Sequence, residues 1–169
     1  MPVTSFYPVL MPEDVPAAAS FYRHVLGFEA TFESDWYVSL RLGAFELALL
    51  AYDHETIPEG YSARPNGVIL NLEVDDVDDV HQQLSRKGIE VVQPLRDEAW
   101  GQRHFIVAAP DGVLLDVIQP TSPSDEYAGH TSGRERDAYQ VGPPARPCGG
   151  NNRVPIGGFR RSCPHRIPA

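Results

Sequence analysis

Cysteine is scarce in this sequence, and the two that it has lie near the end. Cys148 and Cys163 are the only cysteines among 169 residues, so residues 1–120 contain none. That part of the chain therefore has no disulfide framework, no thiol nucleophile and no cysteine-based zinc site. It also lacks an apolar run of about 20 residues, the length that spans a bilayer, and any pattern typical of a secretory signal. We expect a soluble, cytoplasmic protein with no membrane partner.

Basic side chains are also scarce in the first 120 residues. That region carries 7 Lys or Arg against 19 Asp or Glu, and the whole chain has a net charge of −9. An acidic surface repels nucleic acids and anionic membranes and favours cationic or neutral partners. We therefore expect no nucleic-acid partner. Simple solubility is a second explanation of the same charge.

Residues 121–169 lack the periodic patterns of helices and strands. Of these 49 residues, 14 are Gly or Pro. Such a composition without periodicity is typical of disordered segments. We predict one domain over residues 1–120 followed by a disordered Gly/Pro/Arg-rich tail over 121–169. Deleting residues 123–169 is then expected to leave the melting temperature unchanged.

Residues 1–120 contain the same pattern twice. In residues 9–30 and again in residues 71–91, a short apolar strand leads to an acidic turn and then to a helix that ends at a glycine. Asp14 and Asp76 are suited to cap the two helices, because Asp accepts hydrogen bonds from free backbone N–H groups. Gly27 and Gly88 are suited to end them.

Each copy of the pattern closes with strands around a tight turn, at residues 36–50 and 103–119. The sequence therefore predicts an α+β fold of two tandem β-α-β-β-β modules, module 1 over about 3–55 and module 2 over about 66–120. Together they form a curved sheet around a central cavity, which we call the trough. The first strand is predicted over Thr4 to Met11, at a sheet edge or with a bulge, because Pro8 cannot donate a hydrogen bond.

Three segments resemble the glyoxalase/bleomycin-resistance/extradiol-dioxygenase superfamily, which has the vicinal oxygen chelate fold. They are DVPAAASFYRHVLGFE at 14–29, EVDDVDDV at 73–80 and WGQRHFIVAAPDGVLLDVIQP at 100–120. The resemblance covers residues 3–120 and implies the two-module fold. It leaves the function open, because the superfamily contains metal-dependent isomerases, thiol transferases, ring-cleaving dioxygenases and metal-free drug binders.

The resemblance also implies where a metal would bind. In metal-dependent members, ligands lie seven residues before each capping Asp and four residues after each turn glycine. Those positions hold Tyr7, Ile69, Leu47 and Asp116, and Glu46 lies beside Leu47 on the opposite face unless a bulge shifts the register. A catalytic divalent metal needs about three protein ligands, whereas Glu46 and Asp116 are the best available pair. We expect no cofactor, with a divalent metal at Glu46 and Asp116 as the alternative.

The predicted trough is aromatic and mostly apolar, with a few polar groups, which suits a flat organic ligand. The predicted ligand-binding residues are Tyr7, Met11, Tyr37, Glu46, Asn71, Trp100, Arg103 and Asp116. Strand alternation leaves open whether Tyr37, Ser39 and Arg41 face the trough, or instead Trp36, Val38 and Leu40. Asp116 lies in an otherwise apolar strand and needs a partner or water. A salt bridge to Arg41 or Arg103 is a second interpretation of it. His104 neighbours the trough but lies on a strand that supplies no metal ligand.

The leading functional hypothesis is a metal-independent protein of the bleomycin-resistance type. It would bind a small molecule such as an antibiotic without changing it, and the acidic domain favours cationic aromatic compounds. The resemblance implies a homodimer. The alternative is an enzyme, either a glyoxalase-like lyase or isomerase or a dioxygenase-like metalloenzyme that uses Glu46 and Asp116. A scaffold with a filled trough and no ligand is a third hypothesis.

Overall fold

The computed structural model describes residues 2–129 of the chain. In chain order the elements are β1 Val9–Leu10, α1 Val15–Leu26, β2 Glu29–Glu33, β3 Tyr37–Leu42, β4 Phe45–Leu50, β5 Ile69–Glu73, α2 Val77–Arg86, β6 Val91–Glu98, β7 Gln102–Ala108, β8 Leu114–Pro120 and α3 Asp125–Ala128. Within these residues, no helix combines the length and the apolar character needed to cross a membrane.

The strands form two four-stranded sheets, one in each module. The strand orders are β1-β4-β3-β2 and β5-β8-β7-β6. In each sheet the first strand of the module pairs in parallel with the last, and the remaining pairs are antiparallel. The repeated β-α-β-β-β pattern and the α+β fold class are thus confirmed.

Both long helices begin at the predicted aspartates. The carboxylate of Asp14 accepts a hydrogen bond from the N–H of Ala17 at 2.8 Å, and that of Asp76 accepts from the N–H of Asp79 at 2.9 Å. Gly27, with φ of +81°, follows the last residue of α1. A left-handed residue at this point is favourable for glycine, because it has no Cβ.

Two strands differ in length from the prediction. The first is only Val9–Leu10, because Pro8 interrupts the ladder; it does lie at the sheet edge, where the Pro8 carbonyl accepts a hydrogen bond from the N–H of Ala48 at 3.0 Å. The pattern of residues 89–94 predicts a strand that ends at Pro94, whereas the sixth strand is Val91–Glu98, with one register shift between Val91 and Gln93 and another between Gln93 and Arg96. Both sheets thus accommodate a proline on an edge strand.

One apolar core joins the two modules. It contains buried side chains from both helices and from the sheet faces that meet them. The Tyr22 hydroxyl donates to Oδ2 of Asp111 at 3.1 Å, and Nζ of Lys87 donates to the carbonyl oxygen of His24 at 2.9 Å. Burial, followed by the negative charge and hydrogen bond of Asp111, raises the pKa of Tyr22. Module 1 and module 2 are therefore tied by polar contacts as well as by the core.

The described chain continues beyond Pro120. The N–H of Thr121 donates to the carbonyl oxygen of Gly101 and that of Ser124 to the carbonyl oxygen of Ala99, both at 2.9 Å. Helix α3 follows, and its Tyr127 meets the Trp100 ring edge-on at 6.5 Å between centroids. The first residues of the predicted tail thus contact the domain as far as Tyr127. The rest of that prediction, residues 130–169, lies outside the described residues.

Candidate functional site

Each sheet has one face against the helices and a second face, which we call the open face. In module 1, Val38 and Leu40 are buried on the helix side, so Tyr37, Ser39 and Arg41 lie on the open face. This settles the choice between the two alternating sets. Strand pairing places Glu46 opposite Arg41 and Leu47 opposite Leu40. Glu46 therefore lies on the open face, and Leu47 lies in the core.

Aromatic side chains gather at the end of this sheet where β3 begins, and we call Tyr7, Phe32, Trp36 and Tyr37 the aromatic cluster. Ring centroids are 6.0 Å apart for Phe32 and Tyr37 and 5.8 Å apart for Trp36 and Tyr37. Trp36 also stacks on His54 at 4.0 Å. Tyr7, Phe32 and Trp36 each remain at least 41% exposed. Exposed aromatic rings of this kind offer a surface on which a flat ligand can stack.

The aromatic cluster adjoins a carboxylate. Ser5 donates a hydrogen bond from Oγ to Oε2 of Glu46 at 3.1 Å. The hydrogen bond and charge of Tyr37, followed by burial and last by the negative charge of Glu46, raise the pKa of the Tyr7 hydroxyl. Of the predicted ligand-binding residues, Tyr7, Tyr37 and Glu46 are thus brought together in module 1. This end of the sheet can accept a cation beside stacked rings.

The open face of module 2 carries a chain of three polar side chains, Glu98, His104 and Asp116. Nδ1 of His104 lies 2.7 Å from Oδ1 of Asp116, and Nε2 lies 3.2 Å from Oε1 of Glu98. Asp116 pairs across strands with Asn71, which lies on the same face of the sheet. The partner of Asp116 is therefore His104, and the second interpretation, a salt bridge to Arg41 or Arg103, is wrong.

Sequence reasoning missed His104 because it considered only the strands that carry metal ligands in the superfamily. A register count from the turn at residues 110–112 places Ala108 opposite Leu114 and Ile106 opposite Asp116. On antiparallel strands the diagonal neighbour on the same face is within reach of a long side chain. His104 is that diagonal neighbour of Asp116, so the signal was present in the hairpin spacing.

Arg103 faces the other way. Its guanidinium donates to Asp78 of α2 at 2.8 Å and to Asp97 at 3.0 Å. The hydrogen bond from Arg103 lowers the pKa of Asp78, and the two carboxylates raise the pKa of Arg103. Because successive side chains of a strand alternate between faces, Arg103 and His104 lie on opposite sides of β7. The structure thus places Arg103 on the helix side, away from Asp116.

The remaining predicted residues lie at the edges of the open faces. Trp100 is 46% exposed, and its Nε1 donates to Oε1 of Gln102 at 2.8 Å. Met11 follows β1 and is partly buried. Asn71 is exposed on the edge strand β5. The predicted ligand-binding residues are therefore not all together. They are divided among the two open faces, the turn at Trp100 just before β7 and, for Arg103, the helix side of its sheet.

A cavity of about 740 Å³ lies between the modules, on the helix side of the sheets. Both helices contribute to its walls, and most of the lining is apolar, with Glu46, Asn71, Glu73 and Gln83 as the polar exceptions. Of the predicted ligand-binding residues, it includes Glu46 and Asn71. The cavity therefore borders the open faces at Glu46 and Asn71, whereas most of its walls are formed by residues on the helix side of the sheets.

The positions that hold metals in related proteins do not fit a metal here. The side chain of Ile69 has no atom that can bind a metal, the carboxylate of Glu46 accepts a hydrogen bond from Ser5, and that of Asp116 is hydrogen-bonded to His104. Across residues 2–129, no three His, Cys, Asp or Glu side chains are grouped in a way that could hold a metal ion. About three such ligands are the usual minimum for a catalytic divalent metal.

Comparison with known proteins decides the family. The sequence profile of the Glyoxalase/Bleomycin resistance protein/Dioxygenase superfamily matches residues 6–117, which include both modules. The chain belongs to this superfamily. Other superfamily members resemble it in sequence: a bleomycin resistance protein of Geobacillus stearothermophilus is 26% identical over 129 residues, covering 66% of this chain and 93% of that protein. An uncharacterised protein of Mycobacterium tuberculosis is 30% identical, covering 67% and 72%.

Solved structures of the superfamily share the fold. A lactoylglutathione lyase from Agrobacterium tumefaciens superposes with a TM-score of 0.60 at 20% identity, covering 70% of this chain and 95% of that one. A glyoxalase/bleomycin resistance protein/dioxygenase from Nocardioides superposes with a TM-score of 0.61 at 21% identity, covering 72% and 86%. At these identities the likeness concerns the fold and does not select among the superfamily's functions.

Proposed function

We propose that this chain binds a small organic ligand, with cationic aromatic compounds as the favoured class, and that it does so without chemical conversion and without a metal. The similarity to bleomycin resistance proteins makes bleomycin itself a compound to test, and antibiotic sequestration is the corresponding biological role. The cytoplasm stays the predicted compartment. One observation carries this proposal: exposed aromatic rings and carboxylates share the open face of module 1, where a flat cation would find both.

Charge supports the same ligand class. Glu46 lies beside Tyr7 and Tyr37, and Glu29 of β2 lies on the same open face, opposite Arg41. A cation positioned over an aromatic ring gains roughly 0.5–2 kcal/mol, more when water is excluded. A neutral or anionic ligand of the same shape would lack this contribution. We therefore expect cationic compounds to bind more tightly than neutral ones of the same shape.

We also propose that a second copy of the chain completes the site. Val9 and Ile69 lie on the open faces of the edge strands β1 and β5 and are 44% and 53% exposed. Apolar patches of this kind on a soluble domain commonly mark an interface. A homodimer that covers these side chains would turn the open faces into walls of an enclosed pocket, which binds a small ligand better than an open surface does.

Tryptophan fluorescence offers a direct test, because the chain has two tryptophans and each belongs to one module. The purified protein is titrated with bleomycin, proflavine and ethidium, and with neutral aromatic compounds of similar size. We expect saturable quenching by cationic members of this ligand panel. Trp36→Phe and Trp100→Phe then report which module binds. Tyr37→Ala should weaken binding about tenfold, whereas Tyr61→Ala, on an exposed loop, should not. If no compound of the panel quenched the tryptophan fluorescence of the wild-type protein, the result would contradict the proposal.

A further inference from the structure

The imidazole of His104 is held between two carboxylates from neighbouring strands. Its side chain is 6% exposed, and those of Glu98 and Asp116 are 13% and 14% exposed. Buried polar groups are costly unless they are hydrogen-bonded. Both ring nitrogens meet that requirement, Nδ1 with Asp116 and Nε2 with Glu98. The three side chains therefore form a continuous hydrogen-bonded chain across β6, β7 and β8.

The outer end of this chain is fixed by two further side chains of β6. Nε of Arg96 donates to Oε1 of Glu98 at 2.5 Å, and the side-chain amide nitrogen of Gln93 lies 3.2 Å from Nε2 of His104. Burial would raise the pKa of Glu98, but hydrogen bonds from His104 and Arg96 outweigh it and hold that pKa below its usual range. When Nε2 carries a proton it can donate to Glu98, and when it does not it can accept from Gln93. The ring is thus held in either state.

The inner end of the chain is open. Nδ1 of His104 is hydrogen-bonded to Oδ1 of Asp116, and within residues 2–129 no group donates a hydrogen bond to Oδ2. Asn71 lies directly across from Asp116 on β5, and its side chain is likewise without a hydrogen-bond partner among those residues. Apart from His104, the neighbours of Asp116 on the same face of β7 and β8 are apolar: Ile106, Leu114 and Ile118. A carboxylate oxygen and an amide thus lie side by side on an otherwise apolar patch.

We propose that Asp116 and Asn71 form a subsite for a nitrogen cation of the ligand, an ammonium or amidinium group, and that His104 and Glu98 position Asp116 for it. The proposal rests on the proposed function, because it concerns the ligand that the open faces bind. A carboxylate whose orientation is already fixed loses less conformational freedom on binding. An amidinium can donate to Asp116 and Asn71 at once, and charge-assisted bonds of this kind are among the stronger hydrogen bonds.

Benzamidine and benzamide test the subsite, because they have the same shape and differ in charge. Both are titrated against the full-length protein and followed by NMR. We expect wild-type protein to bind benzamidine about tenfold more tightly. Asp116→Asn, which keeps the size of the side chain, should abolish this preference, because it removes the negative charge that distinguishes the two compounds. Glu90→Gln removes a charge from an exposed position of module 2 and should retain the preference.

The positioning role of His104 has its own test. His104→Asn retains a donor near the position of Nδ1 and should keep most of the preference for benzamidine. His104→Leu removes the donor and should reduce the preference at least threefold, with benzamide affinity unchanged. Glu98→Gln, which leaves His104 in place, should reduce the preference for benzamidine less than His104→Leu does. If His104→Leu does not fold, the benzamidine preferences of His104→Asn, Glu98→Gln and wild type still test the positioning role of His104.

The outcomes separate this subsite from the proposed function. If the ligand panel binds but wild-type protein shows no preference for benzamidine, or if Asp116→Asn retains the preference, the subsite is wrong and the proposed function stands. If no compound of the panel binds but the benzamidine preference is present and depends on Asp116, the subsite is supported, and the assignment of ligand binding to the aromatic open face of module 1 is wrong. Equal loss of both compounds in His104→Leu would contradict positioning and indicate a structural role only.

Discussion

Tyr22 and His104 are buried side chains whose polar ends reach across the sequence to carboxylates. Tyr22 connects α1 to the β7–β8 turn through Asp111, and His104 connects β7 to β8 through Asp116. The first pair is not visible from local sequence, because its partners lie 89 residues apart. The second becomes visible only when the register of the β7–β8 hairpin is counted from its turn. The predicted aspartate caps, in contrast, depend on neighbours within one helical turn and were confirmed.

The Tyr22 hydroxyl gives a first prediction. Tyr22→Phe keeps the buried ring and removes the hydrogen bond to Asp111, so the free energy of unfolding should fall by about 1 kcal/mol. Urea unfolding monitored by circular dichroism measures this change. Tyr61→Phe removes a hydroxyl from a tyrosine that is 74% exposed and should have no effect. Equal stability of the two variants would show that the Tyr22–Asp111 bond does not help to join the modules.

Glu98 gives a pH-dependent prediction. Because its pKa is lower in the folded protein than the ordinary value of about 4.5, its ionised form favours folding above that pH. That contribution is lost as the pH falls through the folded pKa, below about 4.5. Glu98→Gln should therefore be less stable than wild type at pH 7, and the difference should shrink toward pH 3. Urea unfolding of both proteins from pH 7 to pH 3 tests this prediction. If the difference in their free energies of unfolding did not change with pH, the result would contradict the role given to Glu98.

At the scale of elements, the sequence predicts the order of helices and strands better than their ends. Glycine turns, aspartate caps and apolar alternation place every helix and strand of residues 9–120, because each signal acts within a few residues. The prolines were harder to interpret, since Pro8 shortens β1 while Pro94 is accommodated within β6. Residues 121–129 were missed, because their contacts are with a distant turn and not with a periodic face of their own.

Gly101 shows how tightly that segment packs. It has φ of +97°, and a Cβ added there would lie 2.9 Å from the carbonyl oxygen of Thr121. Gly101→Ala should therefore combine backbone strain of about 1–2 kcal/mol with an overpacking cost of about 1–3 kcal/mol. Gly60→Ala is the matched control, because its φ is +85° with open space around it, so only the backbone strain applies. Thermal unfolding that ranks Gly60→Ala as the more damaging change would contradict the packing described for residues 121–123.

At the scale of the whole molecule, the two modules share one core on their helix sides and leave two sheet faces open. The sequence predicts this duplication and the superfamily directly. It does not predict the allocation of side chains to faces, which depends on register: a shift of one residue would exchange Glu46 with Leu47 and Asp116 with a core residue. The candidate site was therefore predicted in composition, whereas His104 was missed and Arg103 lies on the other face.

The proposed dimer gives a prediction about Ile69. This side chain is 53% exposed on the edge strand β5 and lies outside the core, so Ile69→Glu should leave the fold intact. If a second copy covers it, a buried and unpaired charge would weaken the dimer strongly. Light scattering after size exclusion should show a dimer for wild type and for Tyr61→Glu, and a monomer for Ile69→Glu. A monomeric wild-type protein at high micromolar concentration would contradict the proposed dimer.

The central claim is that the open faces bind an organic ligand without a metal. Isothermal titration calorimetry on one preparation, before and after treatment with a strong chelator and with metal content measured in both states, tests it most directly. We predict saturable binding of a cationic aromatic compound with the same Kd in both states. Binding that disappears with the chelator and returns on addition of zinc, nickel, manganese or iron would contradict the account.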